Sequence, residues 1–156
     1  MLSRAKMRRF ALGILASSAL LSVHCEKSTP AGKPWCDCAV SLEGAPAHVL
    51  VYLEPEDSWG APYVPQAVRL YVTKGQRRQL ALKTEIANDG VVFDEGNVLV
   101  AQLGSADIEV RLSGHKQQPA CFRVDRSTLE LRAKPCLSPP ALPVACHLEP
   151  RVFSEG

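Results

Sequence analysis

Residues 68–112 read VRLYVTKGQRRQLALKTEIANDGVVFDEGNVLVAQLGSADIEVRL, and apolar and polar side chains alternate through three segments of this stretch. The apolar side chains are Val68, Leu70 and Val72, then Leu80, Leu82 and Ile86, then Ile108, Val110 and Leu112. Such a period of two is typical of β-strands with one buried and one solvated face. Turn-forming residues lie between the segments: Lys74-Gly75, Asn88-Asp89-Gly90, Glu95-Gly96-Asn97 and Gly104-Ser105. The pattern predicts antiparallel β-sheet.

The flanking sequence extends this prediction in both directions. Strand-like segments are residues 35–42, the apolar residues 48–53 (a central strand covered on both sides), 120–124 and 129–131. Residues 54–65 contain three prolines and a glycine, which predicts a loop. Residues 137–144 are too rich in proline for sheet or helix and are expected to wrap the surface. We therefore predict an all-β fold, an antiparallel β-sandwich of roughly eight strands over residues 35–136, followed by a proline-rich C-terminal tail over 137–156.

The N-terminus has the pattern of an export signal. Residues 1–10 are basic, and residues 11–23 form an apolar run too short to span a bilayer as a helix, so residues 1–24 are interpreted as a signal segment. Cys25 follows this run, which resembles a bacterial lipoprotein signal, in which the cysteine becomes the lipidated first residue. Residues 25–34 would then be the lipid anchor and tether. The alternative is cleavage elsewhere, with Cys25 left as a disulfide partner.

The charge balance of the exported part excludes one class of function. The formal charge of the whole chain is +2, but four of its eighteen Lys and Arg residues precede Cys25. Without them, 14 basic side chains stand against 16 acidic ones. Proteins that bind nucleic acid are strongly basic, so we expect no nucleic-acid partner.

Six cysteines in a chain of 156 residues indicate an oxidising compartment and disulfide bonds. The disulfide candidates are Cys36, Cys38, Cys121, Cys136 and Cys146; if Cys25 is lipidated, one of these five is free or intermolecular. On an extended strand Cys36 and Cys38 point the same way and cannot easily bridge each other, so at least one is expected to reach a cysteine beyond residue 120. A bridge between Cys121 and Cys136 is an alternative for those two. Zinc ligation by these cysteines fits less well, because paired zinc ligands prefer a wider spacing.

Four short motifs in the middle of the chain resemble the C2 family of β-sandwiches, of the synaptotagmin type, over about residues 47–131. They are Val68-Arg69-Leu70-Tyr71-Val72, Lys83-Thr84-Glu85-Ile86, Val92-Phe93-Asp94-Glu95 and Ile108-Glu109-Val110-Arg111-Leu112. The resemblance implies a C2-like sandwich. Calcium-binding members of the family carry clustered aspartates on two loops, whereas the loop after Leu112 reads Ser113-Gly114-His115-Lys116. No calcium or other metal is therefore expected.

Two surfaces are candidates for binding. The basic residues Lys74, Arg77, Arg78 and Lys83 form a dense positive cluster that would suit an anionic surface such as lipid head groups; the alternative is a solvated hairpin that discourages edge-to-edge association. Trp59 and Tyr63 lie in the proline-rich loop and are candidates for a partner-binding loop. The alternative for Trp59 is that it closes one end of the sandwich.

Motifs that carry chemistry are missing from the sequence. It contains no His-Glu-x-x-His, no Gly-x-Ser-x-Gly, no phosphate-binding glycine loop and no Cys-x-x-Cys, so no catalytic residue and no cofactor are assigned. We predict a non-enzymatic binding or assembly module of a bacterial cell envelope, lipid-anchored in the outer membrane and facing the periplasm or the cell surface, with another envelope protein as its partner; the alternative location is secretion. The alternatives are a secreted enzyme or enzyme inhibitor with its site on the loops, and a structural subunit of an envelope complex.

Overall fold

The computed structural model describes residues 32–54, 65–87, 91 and 93–149. These residues form nine β-strands and one 3₁₀ turn, Glu95–Asn97. The strands are β1 (Cys36–Leu42), β2 (Ala45–Leu53), β3 (Gln66–Lys74), β4 (Arg77–Ile86), β5 (Val98–Leu103), β6 (Asp107–Leu112), β7 (Ala120–Val124), β8 (Leu131–Lys134) and β9 (Cys146–Leu148). In this described part of the chain, no helix is long and apolar enough to cross a lipid bilayer.

The strands make two antiparallel sheets. One sheet has five strands in the order β4-β3-β2-β1-β9, and the other has four in the order β5-β6-β7-β8. Neighbours within each sheet follow one another in the chain, except that β9 returns to pair with β1. The predicted all-β, antiparallel, disulfide-bonded architecture is confirmed, with nine strands in place of about eight.

The core lies between the two sheets and follows from the alternation in the sequence. The inward side chains of β3, Val68, Leu70 and Val72, are fully buried, as are Ile108 and Val110 of β6. The central strand β2 contributes its inward residues Ala47, Val49 and Val51 to the same core. Its other face is only partly covered, because His48 and Leu50 remain half-buried there. The prediction of a central strand is confirmed, whereas complete cover on both faces is not observed.

Strand β4 departs from the predicted alternation. Leu70 of β3 lies opposite Leu82, but the next residue, Tyr71, lies opposite Leu80, so that Ala81 is the extra residue of a β-bulge. An extra residue reverses the facing of every side chain on one side of it. Ala81 is therefore buried, whereas Leu80, predicted to face the core, lies on the outer face and is 37% exposed.

Two of the predicted turn glycines adopt the positive φ angles that glycine tolerates in tight turns. Gly75 joins β3 to β4 with a φ of 58°, and Gly104 joins β5 to β6 with a φ of 64°, the left-handed region that glycine tolerates. The turn predicted at residues 95–97 is the 3₁₀ turn. The Asp94 side chain accepts the Gly96 N–H, and the Asn97 side chain donates to the Ser113 carbonyl at the end of β6 (2.7 Å).

The C-terminal part of the chain is less separate than the predicted boundary at residue 136 implies. Residues 137–145 do wrap the surface: Leu137 accepts a hydrogen bond from Arg111, and the Val144 N–H donates to the Val100 carbonyl of β5. The chain then returns to the five-stranded sheet as β9, paired with residues 36–38 of β1. The sandwich therefore extends to Leu148, because β1 would otherwise leave these backbone groups unpaired at a sheet edge.

Candidate functional site: an apolar cleft above three cysteine sulfurs

The predicted site residues fall into two groups. Cys25, Trp59 and Tyr63 lie outside the described residues, so the lipidation site and the partner-binding loop stay predictions. The five disulfide candidates and the four basic residues lie within the described strands and loops.

The cysteines form two disulfides and leave one thiol. Cys38 bridges Cys146 over a sequence separation of 108 residues, and Cys121 bridges Cys136 over 15. Both connections were open from the sequence, and the link from the Cys36/Cys38 pair to a cysteine beyond residue 120 is confirmed. Cys36 is the free cysteine among the described residues, and it is buried.

The local strand geometry explains why Cys36 lies beside the long-range disulfide. The period of two places Cys36 and Cys38 on the core face of β1, with their sulfur atoms 3.5 Å apart. Cys146 lies directly opposite Cys38 in β9, with a Cα–Cα distance of 4.3 Å. The three sulfur atoms consequently all lie within 4.8 Å of one another.

The surroundings of Cys36 keep its thiol protonated. Burial, followed by the negative charges of Asp37 and Glu95, raises the pKa of Cys36 from 9.0 to about 11. Burial disfavours the charged thiolate, and nearby carboxylates disfavour it further. At neutral pH, Cys36 is therefore a poor nucleophile.

An apolar cleft of about 440 Å³ opens beside these sulfurs. It lies at one side of the sandwich, where β5 is the edge of the four-stranded sheet and β9 the edge of the five-stranded sheet. The lining comprises Cys36, Glu95, Gly96, Val98, Leu99, Val100, Pro143, Val144, Ala145, Cys146 and Leu148. A cleft of this volume with an apolar lining suits a small ligand or a few apolar side chains.

Two features shape the rim of this cleft. Glu95 supplies its one carboxylate and lies in the 3₁₀ turn, which Asp94 and Asn97 hold in place. On the opposite side, the segment through Val144 is fixed to β5 by its backbone hydrogen bond to Val100 (2.8 Å). Leu142, which directly precedes the lining residue Pro143 in the chain, has a side chain that is 87% exposed.

The basic residues predicted as an anionic-surface site lie on the β3–β4 hairpin, and each has a partner within the chain. Lys74 forms an ion pair with Glu43 (2.6 Å), and Lys83 lies 3.7 Å from Glu54. Arg77 donates to the Ser127 carbonyl in the turn between β7 and β8 (2.9 Å). These contacts reduce the charge available to an anionic ligand, and binding there stays a prediction.

Arg78, the fourth basic residue, covers two tyrosines on the outer face of the five-stranded sheet. Its guanidinium lies 4.7 Å from the ring centre of Tyr71 and donates to the Tyr52 hydroxyl (2.7 Å). The two tyrosine rings meet edge to face. A cation over buried aromatic rings stabilises the sheet, which gives Arg78 a structural role.

His48, on the same face, has one contact typical of a catalytic histidine but lacks a nucleophile among the described residues. His48 donates from Nδ1 to Asp37 (2.7 Å), because a carboxylate can only accept. Such a pair resembles the base and its orienting acid in hydrolases, but a nucleophile must also lie within reach of the other ring nitrogen. Within the described residues, no serine or threonine hydroxyl donates to or accepts from the His48 ring.

The sequence did not predict the cleft. Its walls come from the 3₁₀ turn with the adjacent β5 and from residues 143–148, about forty residues later in the chain, and no local sequence pattern indicates that these parts meet. The one signal was the Cys36-x-Cys38 spacing together with a late cysteine, which indicated that the chain ends come together.

Comparisons with known proteins found no matching family model, no matching curated protein and no matching solved structure. The resemblances to lipoprotein signals and to C2 sandwiches therefore stay predictions, and the function has to be argued from the geometry of the cleft.

Proposed function

We propose that this chain is an exported, lipid-anchored binding module of a bacterial cell envelope. The module binds an extended apolar segment of another envelope protein at the cleft. The observation that carries this proposal is the position of an apolar cleft beside β9, the edge strand of the five-stranded sheet, and across from β5, whose own edge is partly paired with residues 143–144. An edge strand offers unpaired backbone groups, and a neighbouring apolar cleft offers a place for a side chain.

The lining of the cleft supports binding over catalysis. Catalytic sites bring together several polar or titratable side chains around the reacting atoms. Here the walls are formed by Val98, Leu99, Val100, Val144 and Leu148, and the one carboxylate among the lining residues is that of Glu95. Such a lining favours desolvated apolar contact, with little to stabilise developing charge.

The surface around the cleft favours a protein segment over a small molecule. The exposed apolar side chain of Leu142 precedes the lining residue Pro143 and is not part of the cleft lining, so a small ligand enclosed by the cleft would leave it uncovered. The outer edge of β9 pairs with no further strand of the sheet, since β9 is the last of five. An extended peptide can use both features at once, by hydrogen bonding along the edge and by placing one or two apolar side chains in the cleft.

The negative charge at the cleft rim predicts one property of the partner segment. Glu95 lies at the rim of the apolar cleft, so a basic residue beside the inserted apolar side chain would be complementary to it. We expect the recognised segment to be extended and apolar, with Lys or Arg at one end.

The anchoring part of the proposal rests on the sequence around Cys25. The first strand begins at Cys36, so residues 25–34 precede the sandwich and suit a tether. Replacing Cys25 with Ser should release the protein from the membrane fraction and leave its fold intact, because the lipid supplies the anchor. Fatty-acid labelling that leaves the wild-type protein unmarked would contradict lipidation.

Binding at the cleft can be tested with a photo-crosslinking residue placed at position 99 in living cells. Leu99 is half-buried at the cleft, and Leu80, exposed on β4 at the far edge of the other sheet, is the matched control. We expect a crosslink to an envelope protein from position 99 and none from position 80. Mass spectrometry should place the crosslink in an extended apolar segment of that protein.

A synthetic peptide of the identified segment then tests the chemistry with purified protein. Fluorescence anisotropy should show binding that Leu99→Arg and Leu142→Arg abolish and that Leu80→Arg leaves unchanged. Crosslinks from position 80 alone would place the partner elsewhere. Binding of an apolar fluorescent dye in the cleft, without any crosslinked protein, would indicate a small-molecule site and overturn the proposed partner class.

A further inference from the structure

Three cysteine sulfurs from two neighbouring strands converge at the base of the cleft. Cys36 and Cys38 come from β1 and Cys146 from β9, and their sulfur atoms lie within 4.8 Å of one another. A disulfide at Cys38 and Cys146 alone would not need a third cysteine beside it. The Cys36 sulfur is 3.5 Å from that of Cys38 and takes part in no disulfide.

These distances suit a metal ion held by three sulfurs. Metal–thiolate bonds are about 2.3 Å long, so three sulfurs arranged around one ion are about 4 Å apart. The Cys36 and Cys38 sulfurs lie 3.5 Å apart, close to that value, and all three sulfurs lie within 4.8 Å of one another. The disulfide holds the Cys38 and Cys146 sulfurs closer together, and side-chain rotation can move them apart once it is opened. Sulfur ligands select soft cations, and hard cations such as Ca²⁺ require oxygen.

We propose that Cys36, Cys38 and Cys146 bind a soft d¹⁰ cation such as Cu(I) through three thiolates. The site forms when the Cys38–Cys146 disulfide is reduced. The site is thus gated by redox state. The oxidised protein keeps two of the three ligands in the disulfide and holds no such ion.

Reduction of the disulfide and binding of the cation are two separate steps. A dithiol reductant gives two electrons and two protons to the Cys38–Cys146 disulfide and becomes a disulfide itself, which leaves three thiols in the cluster. Binding of the cation then displaces the three thiol protons, because the thiolate is the ligand. The cation changes no oxidation state in this step.

The ligands should stay in place after reduction, because backbone hydrogen bonds hold β9 independently of the disulfide. Residues 146–148 pair with β1, and the strand is held at both ends by the bonds from Glu149 N–H to the Trp35 carbonyl and from Val144 N–H to the Val100 carbonyl. The geometry needed for three ligands is therefore built into the sheet.

Two further observations favour a cation at this place. The cleft is lined by Cys36 and Cys146, so it gives an ion a path to sulfurs that are otherwise buried. Glu95 also lines the cleft, so its carboxylate lies on the path of an incoming cation. This inference concerns the sulfurs below the cleft and does not depend on the proposed protein partner.

The test uses the purified exported domain, reduced anaerobically with a phosphine that is then removed, and Cu(I) supplied as its coloured bathocuproine complex. We expect the reduced protein to withdraw one equivalent of copper, seen as a loss of the complex's absorbance. The oxidised protein should withdraw none. Cys36→Ser should weaken the binding by at least about tenfold, since the loss of an outer-shell partner alone costs about 10–100-fold in metal affinity.

The matched control is Cys121→Ser, which removes a cysteine of the other disulfide and should bind copper like the wild type. Near-ultraviolet circular dichroism follows the fold of each reduced protein. Equal copper uptake by wild type and Cys36→Ser, loss of uptake in Cys121→Ser, or a reduced protein that is unfolded and is not refolded by Cu(I) would each overturn the proposal.

Discussion

Cys36 combines features that the other described cysteines do not share. It is a free thiol with 3% of its surface exposed, it contacts a disulfide sulfur, and its pKa is raised to about 11. Burial is the largest cause of that shift, and the charges of Asp37 and Glu95 add to it. A thiol in such surroundings survives in an oxidising compartment because its reactive thiolate is scarce.

The raised pKa predicts slow and pH-dependent alkylation. In the oxidised, metal-free protein at pH 8, Cys36 should react with iodoacetamide about 100-fold more slowly than in the urea-unfolded chain, since the two pKa values are about 11 and 9.0. The rate should rise about tenfold for each pH unit until the pH approaches the folded pKa. Mass spectrometry of quenched samples measures the rate.

The same shift makes a prediction for stability. Because the folded state holds its proton more tightly than the unfolded state, Cys36 stabilises the fold below pH 9 and loses this contribution as the pH rises from 9 to about 11. The difference in unfolding free energy between wild type and Cys36→Ser should change over that interval. A constant difference would show that the thiol titrates normally in the fold.

The Gln102 side chain continues the hydrogen bonding along the edge of strand β1 where strand β9 ends. Strand β9 covers only residues 36–38 of β1, and further along the same strand the Gln102 amide pairs with the backbone of Ser41. Its oxygen accepts the Ser41 N–H (2.8 Å), and its nitrogen donates to the Ser41 carbonyl (2.9 Å). The side chain thus imitates a neighbouring strand and joins the two sheets.

Replacing Gln102 with Ala should destabilise the protein by about 1–3 kcal/mol, because the Ser41 backbone groups lose their partners in a partly buried place. Urea unfolding followed by circular dichroism measures the change. Gln79→Ala is the control, since Gln79 makes one exposed hydrogen bond to Leu80, and it should have little effect. Equal effects of the two changes would show that the contact between the sheets is unimportant.

The β3–β4 hairpin offers a test of the predicted anionic-surface site. If the hairpin binds anionic lipid, Arg77→Glu with Arg78→Glu should abolish co-sedimentation with phosphatidylserine vesicles, and added salt should weaken the wild-type binding. Arg126→Glu, a charge reversal on the β7–β8 turn, is the control. Since Arg77 and Arg78 also hold Ser127 and Tyr52, the fold of the double variant must be checked. No binding by the wild type at low salt would favour the solvated hairpin.

At the scale of the whole molecule, the disulfide that joins the first and last strands adds to the stability that strand pairing provides. In the chain-entropy model a disulfide restricts the unfolded chain. A loop of 108 residues raises the free energy of unfolding by about 4–5 kcal/mol, and one of 15 residues by about 3 kcal/mol. The Cys38–Cys146 bond is therefore a large part of a typical total of about 5–15 kcal/mol.

The double change Cys38→Ser with Cys146→Ser should accordingly lower the melting temperature more than Cys121→Ser with Cys136→Ser. Differential scanning calorimetry measures both. A larger loss in the second double variant would mean that the short loop limits stability, and that β9 contributes little to the fold. A peptide map of unreduced protein checks the connectivity itself.

The sequence was sufficient for those features that depend on neighbouring residues. Alternation along β3 and β6 predicted both strands and their buried faces, because a strand turns successive side chains to opposite sides. Glycines predicted the tight turns at Gly75 and Gly104 for a similar local reason. The parallel orientation of Cys36 and Cys38, which made a mutual bridge unfavourable, also followed from the strand period.

Other features depend on contacts between distant parts of the chain, and the sequence alone did not reveal them. The bulge at Ala81 turned Leu80 outward because register is set by the partner strand. Strand β9 has three residues, too few for a periodic pattern, and it forms because its backbone pairs with the open edge of β1; the Cys38–Cys146 bond links the same two strands covalently. The cleft exists only where β5, the 3₁₀ turn and residues 143–148 come together. Local residue patterns thus determined the strands, whereas long-range pairing determined the three-sulfur cluster and the surface proposed to bind a partner.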